Sequence, residues 1–200
     1  MTGGLGAGKS TALRALARLG AEVLSTDAVV HELYETPEVR DAVVARFGPQ
    51  VARGGRVDRA ALAELAFASE EGPAWLEGFL WPRVAERVAA WRATASAMEP
   101  SPVAAVVETP LLFEAGLQDA YDATIAVVAD ERLREARARA RGHRALAERA
   151  ARQLSQDEKA ARATFVVVND GTVLALEARL TALLDELSAR ATACRPDVRS

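Results

Sequence analysis

Cysteine is almost absent from this 200-residue chain: Cys194 is the sole thiol, which excludes an internal disulfide framework and a cysteine-built zinc cluster. Lysine is nearly as scarce, with Lys9 and Lys159 set against 23 arginines. There are two histidines, His31 and His143, too far apart in sequence and too isolated to read as a metal pair. Aromatics make up 5% of the chain. No run of 18 uncharged apolar residues occurs, so no segment reads as a membrane-spanning helix. No basic stretch followed by an apolar one opens the chain, so a secretory leader is not expected and a cytoplasmic location is the default. Net charge is −3. A surface that grips a polynucleotide backbone throughout is therefore not expected.

What is present is a globular composition: 50% hydrophobic and 26% charged, enough for a core and too apolar for global disorder. The length fits one domain, with room for an inserted subdomain. Forty-four alanines favour helix. The apolar stripe Leu13, Leu16, Ala17, Leu19 predicts a helix over 10–19, closed by Gly20. Residues 21–25 read as a strand and 28–48 as helix, with a break at Thr36-Pro37. Further helices are expected near 59–69 and 73–97. The apolar runs 103–107, 123–128 and 165–168 read as strands buried on both faces. An arginine-rich helical stretch covers 131–162, and a last helix covers 172–190. Strands alternating with helices predict an α/β fold with a parallel sheet.

Gly3-Gly4-Leu5-Gly6-Ala7-Gly8-Lys9-Ser10 matches G-x-x-x-x-G-K-[ST]. Glycines allow backbone N–H groups to close around phosphate oxygens, and the following helix aims its positive end at the same anion. Lys9 then reaches the outer phosphates and the Ser10 hydroxyl serves Mg²⁺. Gly3, Gly4, Leu5, Gly6, Ala7, Gly8, Lys9, Ser10 and the adjoining Thr11 form the expected ATP site. The motif ordinarily follows a central strand. Here only Met1 and Thr2 precede Gly3, so that strand is expected to be missing, as from a start placed several codons late.

The remaining candidates lie further along. Asp27 follows a short strand, where α/β proteins bind ligands. A carboxylate there suits an acceptor hydroxyl or a metal; a helix N-cap is the plain alternative. Glu108 ends a buried strand and reads as a second acceptor or metal contact, or as a solvated strand end. Residues 132–152 hold eight arginines, which are mostly a solvated helix face. Arg137 and Arg141 stand four apart and share one face, so their guanidinium groups suit a triphosphate. Trp75, Trp81 and Trp91 read first as packing residues.

Beyond the loop, the motifs resemble one family, the dephospho-coenzyme A kinases. Thr2 to Ser10 is similar to its TGGIGSGKS loop. Ser25-Thr26-Asp27-Ala28-Val29-Val30-His31-Glu32-Leu33 resembles D-A-D-x-I-x-[RH]-E-L, and Glu108 to Leu117 resembles D-x-P-L-L-F-E-x-G-L. Gly55 to Arg59 and Leu76 to Pro82 are similar to G-x-I-D-R and L-E-x-I-x-H-P. Arg137, Arg141, Arg152 and Gln156 fall where the family's lid carries arginines and a glutamine. Ala163 to Asn169 resembles A-D-F-V-I-D-N. The chain departs at Ser25, Glu108, Trp81 and Ala85, which stand where Asp, Asp, His and Arg are expected.

The resemblance implies a three-layer P-loop kinase with a helical acceptor-binding insertion near 56–98 and an arginine lid near 131–155. It implies ATP and Mg²⁺, with dephospho-coenzyme A as the small-molecule partner. It implies Lys9 and Arg141 on the transferred group, Asp27 on the acceptor hydroxyl and Asn169 at the nucleotide. His31, Arg59, Trp81, Glu108, Pro110, Leu111, Leu112 and Phe113 would serve the acceptor. Another small-molecule P-loop kinase, a nucleotide-binding switch and a paralogue without turnover remain alternatives. Nucleic acid and membrane are not expected partners.

Overall fold

The computed structural model describes residues 1–69, 71–140 and 153–193. Its strands are β1 (Thr2–Gly3), β2 (Glu22–Ser25), β3 (Ala52–Arg53), β4 (Arg56–Val57), β5 (Ala105–Glu108), β6 (Ile125–Val128) and β7 (Phe165–Val168). The α-helices are α1 (Lys9–Arg18), α2 (Thr26–Glu35), α3 (Pro37–Phe47), α4 (Arg59–Phe67), α5 (Glu71–Ser96), α6 (Glu131–Ala140), α7 (Gln156–Arg162) and α8 (Val173–Ala193). The chain divides into two compact units: Met1–Val23 together with the chain from Ala95 onward, and Leu24–Thr94.

A strand does precede the loop, which corrects the expectation that it is missing. It is reduced to two residues. β1 pairs in parallel with β6, Thr2 opposite Ala126 and Gly3 opposite Val127. On its other side the Met1 nitrogen donates to the Val107 carbonyl at 2.7 Å, and the Thr109 N–H donates to the Met1 carbonyl at 2.9 Å. Three residues thus suffice to seat the chain between β5 and β6, because each makes ladder bonds to a neighbour. β7 continues the sheet in parallel beyond β6. β2 is paired with β5 in a separate two-stranded ladder, and the Glu22 N–H donates to the Ala104 carbonyl at 2.9 Å.

The core of this first unit lies between sheet and helices. Val106, Ile125, Val127 and Val167 meet Ala12, Ala15 and Leu16 of α1 and Leu176, Leu180, Leu183 and Leu184 of α8. The α8 residues fall at i, i+4, i+7 and i+8, one stripe of a 3.6-residue helix. α1 ends in a Schellman motif, with the Gly20 and Ala21 N–H groups donating to the Ala17 and Leu16 carbonyls.

The unit Leu24–Thr94 has its own core of Val29, Leu33, Val39, Val43, Val51, Leu62 and Leu80. Thr36 caps α3 by accepting from the Val39 N–H, with Pro37 at the first helical position, so the break at Thr36-Pro37 is a helix start. Gly54-Gly55 turns a hairpin between β3 and β4. α5 runs through Gly72-Pro73, which sit in its opening turn and do not interrupt it. Trp75 stacks on Phe79 at 5.0 Å and meets Phe47 edge-on at 5.5 Å, the packing role expected of it.

Candidate functional site

The loop from Gly3 to Gly8 passes from β1 into α1 as a closed cradle. Gly8 is the N-cap of α1 at φ 92°. A Cβ there would stand 2.0 Å from the Asn169 side-chain nitrogen, which donates to the Ala7 carbonyl at 2.8 Å. A Cβ on Gly6 would stand 2.3 Å from the Arg134 carbonyl. Both positions therefore require glycine, for space as much as for backbone angle. No side chain caps α1, and the N–H groups at a helix N-terminus are the kind of donor that a phosphate group uses.

Two kinds of residue hold the cradle. Lys9 donates from Nζ to the Gly3 and Gly4 carbonyls at 3.0 and 3.4 Å, and its ammonium stands 4.0 Å from Glu108 Oε1. Glu108 is 6% exposed, so it is not a solvated strand end. From α6, Arg134 Nε donates to the Leu5 carbonyl at 2.9 Å. Arg137 donates to the Asn169 carbonyl at 3.1 and 3.2 Å and to the Gly6 carbonyl at 3.5 Å. The Gly3, Gly4, Leu5 and Gly6 carbonyls are thus turned to cationic side chains, and the Ala7 N–H closes the loop on the Gly4 carbonyl at 3.2 Å.

The structure thus brings together Gly3, Gly4, Leu5, Gly6, Ala7, Gly8, Lys9, Arg137, Asn169 and Glu108. Ser10 is exposed in the first turn of α1, with Thr11 half-buried beside it. Arg141, like His143, Arg152 and Cys194, lies outside the described residues. Pro110 and Leu111 are half-buried, whereas Leu112 and Phe113 are 1% and 6% exposed and pack inside.

In the second unit, Asp27 is exposed in the first turn of α2. Ser25 is the N-cap residue, which corrects the capping alternative for Asp27. His31 Nε2 contacts the Arg59 guanidinium, so those two acceptor candidates are neighbours. Trp81 is 48% exposed on α5.

Three residues escaped the sequence reading. Arg134 stands three before Arg137 on one helical face, a spacing that was legible. Glu114 lies inside the Glu108 to Leu117 motif, which sets no role for it. Lys159 is the second of two lysines, with no motif around it.

Gly8→Ala is expected to weaken binding of a non-hydrolysable ATP analogue at least about tenfold, since a left-handed side chain alone costs about 1–2 kcal/mol and Asn169 must leave Ala7. Titration calorimetry checks it, and wild-type affinity in the variant would refute the cradle assignment.

A parallel sheet feeding a glycine cradle, a lysine over that cradle and a helix N-terminus define a P-loop α/β protein. The comparisons narrow this. The family model of CoaE, dephospho-CoA kinase, matches residues 1–175. The dephospho-CoA kinase of Deinococcus radiodurans is 43% identical over 190 residues, covering 94% of this chain and 90% of that one. That of Thermobifida fusca is 37% identical, covering 95% and 96%. A crystal structure from Thermus thermophilus superposes with a TM-score of 0.74 at 34% identity, covering 93% of this chain and 95% of that one. A dephospho-CoA kinase structure from Campylobacter jejuni shares the fold, with a TM-score of 0.68 at 23% identity, covering 95% and 96%. The chain belongs to the dephospho-CoA kinase family.

Proposed function

We propose that this protein transfers the γ-phosphoryl group of ATP to the ribose 3′-hydroxyl of dephospho-coenzyme A, giving coenzyme A and ADP in the cytoplasm. The observation that carries the reading is the braced cradle around Lys9, within a chain matched by the dephospho-CoA kinase family model over residues 1–175.

Phosphoryl transfer asks a protein mainly to position two oxygens and to neutralise charge on the moving group. The cradle N–H groups and the Lys9 ammonium hold the β- and γ-phosphates. Arg137, with Arg141, neutralises charge that develops as the bond to the leaving group lengthens. Asn169 acts on the nucleotide through the loop, by holding the Ala7 carbonyl. Asp27 orients the acceptor hydroxyl and takes its proton. His31, Arg59, Trp81, Glu108, Pro110 and Leu111 are the acceptor contacts that the family resemblance implies. Leu112 and Phe113 support those two from the interior.

The donor chemistry fits Mg²⁺. Ser10 offers an exposed hydroxyl oxygen beside the cradle, and Mg²⁺ is ordinarily held by one or two protein oxygens together with phosphate oxygens. When bound, the ion supplies charge neutralisation at the phosphates.

Purified protein supplied with ATP and Mg²⁺ is expected to release ADP rapidly with dephospho-coenzyme A, and at background rate with AMP, a nucleoside or no acceptor. A nucleotide or nucleoside as the better acceptor overturns the reading in favour of another P-loop kinase. Tight ATP binding without release on any acceptor marks a paralogue without turnover.

A further inference from the structure

Lys159 is 0% exposed, the largest fully buried side chain among the described residues. An ammonium in such a place costs several kcal/mol in lost hydration unless it is well partnered. Here it has a partner for each of its three hydrogens: the Pro110 carbonyl at 2.6 Å, Glu114 Oε1 at 2.9 Å and Thr2 Oγ1 at 3.5 Å. A leucine or methionine would fill the space without that cost.

The three acceptors come from two stretches of chain, Thr2 in β1 and Pro110 with Glu114 in the segment after β5, and both lead to the site. Thr2 immediately precedes Gly3, whose carbonyl accepts from Lys9. Pro110 lies two residues beyond Glu108, which stands 4.0 Å from the Lys9 ammonium. Thr2 also donates from Oγ1 to the Pro110 carbonyl at 3.2 Å, closing a triangle. Glu114 Oε1 accepts the Leu154 N–H at 2.8 Å, at the end of the arginine-rich segment.

Lys159 itself hangs from a fixed base. Ser155 and Glu158 cap each other at the start of α7. The Gln156 side chain accepts from the Ala129 N–H at 2.8 Å and donates to the Ala129 carbonyl at 2.9 Å.

We infer that Lys159, paired with Glu114, is a positioning residue of the transfer reaction: it sets the spacing between β1, which carries the phosphate loop, and the segment after β5, and anchors the exit of the arginine segment to both. The inference rests on the kinase reading above. Displacements near 1 Å at such a site lower turnover about 10²-fold, so the effect belongs in kcat.

The test compares wild type, Lys159→Met, Glu114→Gln and the double variant, all assayed well below the lowest melting temperature. Lys159→Met is expected to lower kcat at least about tenfold while affinity for a non-hydrolysable ATP analogue stays within about threefold. It also leaves a buried carboxylate without its counter-charge, so the melting temperature falls. Adding Glu114→Gln removes that charge and restores much of the melting temperature, while kcat stays low because the Pro110 and Thr2 contacts remain lost. If Lys159→Met does not fold, the double variant carries the test alone. Recovery of kcat in step with melting temperature makes the pair merely structural and overturns the inference. So does wild-type kcat in the double variant, with the kinase reading untouched. A wild type that transfers nothing to dephospho-coenzyme A overturns both.

Discussion

Lys9→Ala is expected to lower kcat by about 10²–10³ or more while the protein stays folded. Lys9 is half-buried at the mouth of the cradle, its ammonium held by the Gly3 and Gly4 carbonyls. In the proposed transfer that ammonium is the charge that meets the moving phosphoryl group, and at a site partly shielded from water such a charge weighs more than in solution. Alanine removes the charge and leaves the glycine turn and the helix dipole in place. The backbone has no reason to collapse, since Asn169, Arg134 and Arg137 still hold the Ala7, Leu5, Gly6 and Asn169 carbonyls. Alanine is also the better helix former at this first position of α1. ADP release and thermal unfolding measured together check this. Turnover near wild type with an unchanged melting temperature would refute the phosphate-loop reading.

Asp27→Asn separates catalysis from a contribution to helix stability. Where this chain caps a helix with aspartate the bonds are plain: Asp58 accepts from the Ala60 and Ala61 N–H groups at 3.1 and 3.2 Å. Asp27 instead lies inside the first turn of α2, exposed, with Ser25 as N-cap. Its contribution to the helix is the charge–dipole attraction of a first-turn carboxylate, about 0.3–1 kcal/mol. Losing it shifts the melting temperature of a chain this size by no more than about 2–4 °C. A positioned general base contributes about 10²–10⁴-fold to rate, and asparagine keeps the shape while losing the base. The expected outcome is a fall in kcat of about two orders of magnitude or more with near-normal stability. A variant that keeps more than about a tenth of wild-type kcat leaves Asp27 with a minor role.

Much of the site was legible because its logic is local. Gly8, Lys9 and Ser10 are contiguous, and the steric and charge reasons for them act within one loop and one helix turn. The stripe Leu176, Leu180, Leu183 and Leu184 announces the buried face of α8 in the same way. The Gly54-Gly55 turn of the β3–β4 hairpin and the start of α3 at Pro37 are also local signals. The acceptor candidates His31 and Trp81 rest on resemblance alone, since no spacing rule sets a role for either.

The phosphate loop, the alternation of strand and helix, and the family can be read along the chain, because each rests on residues a few positions apart whose geometry is dictated by backbone sterics and helical period. That Thr2 and Gly3 make a strand follows from contacts far along the chain, since β1 exists through bonds to β6 and is held beside Val107 and Thr109 by Met1. The tertiary structure alone placed Glu108 in the interior beside Lys9 and turned Arg134 and Arg137 onto loop carbonyls. It alone buried Lys159, whose contact with Thr2 spans 157 residues. A lysine is ordinarily a solvated surface charge, and nothing in its neighbours along the chain distinguishes this one. Its burial follows from three acceptors that converge when the sheet closes.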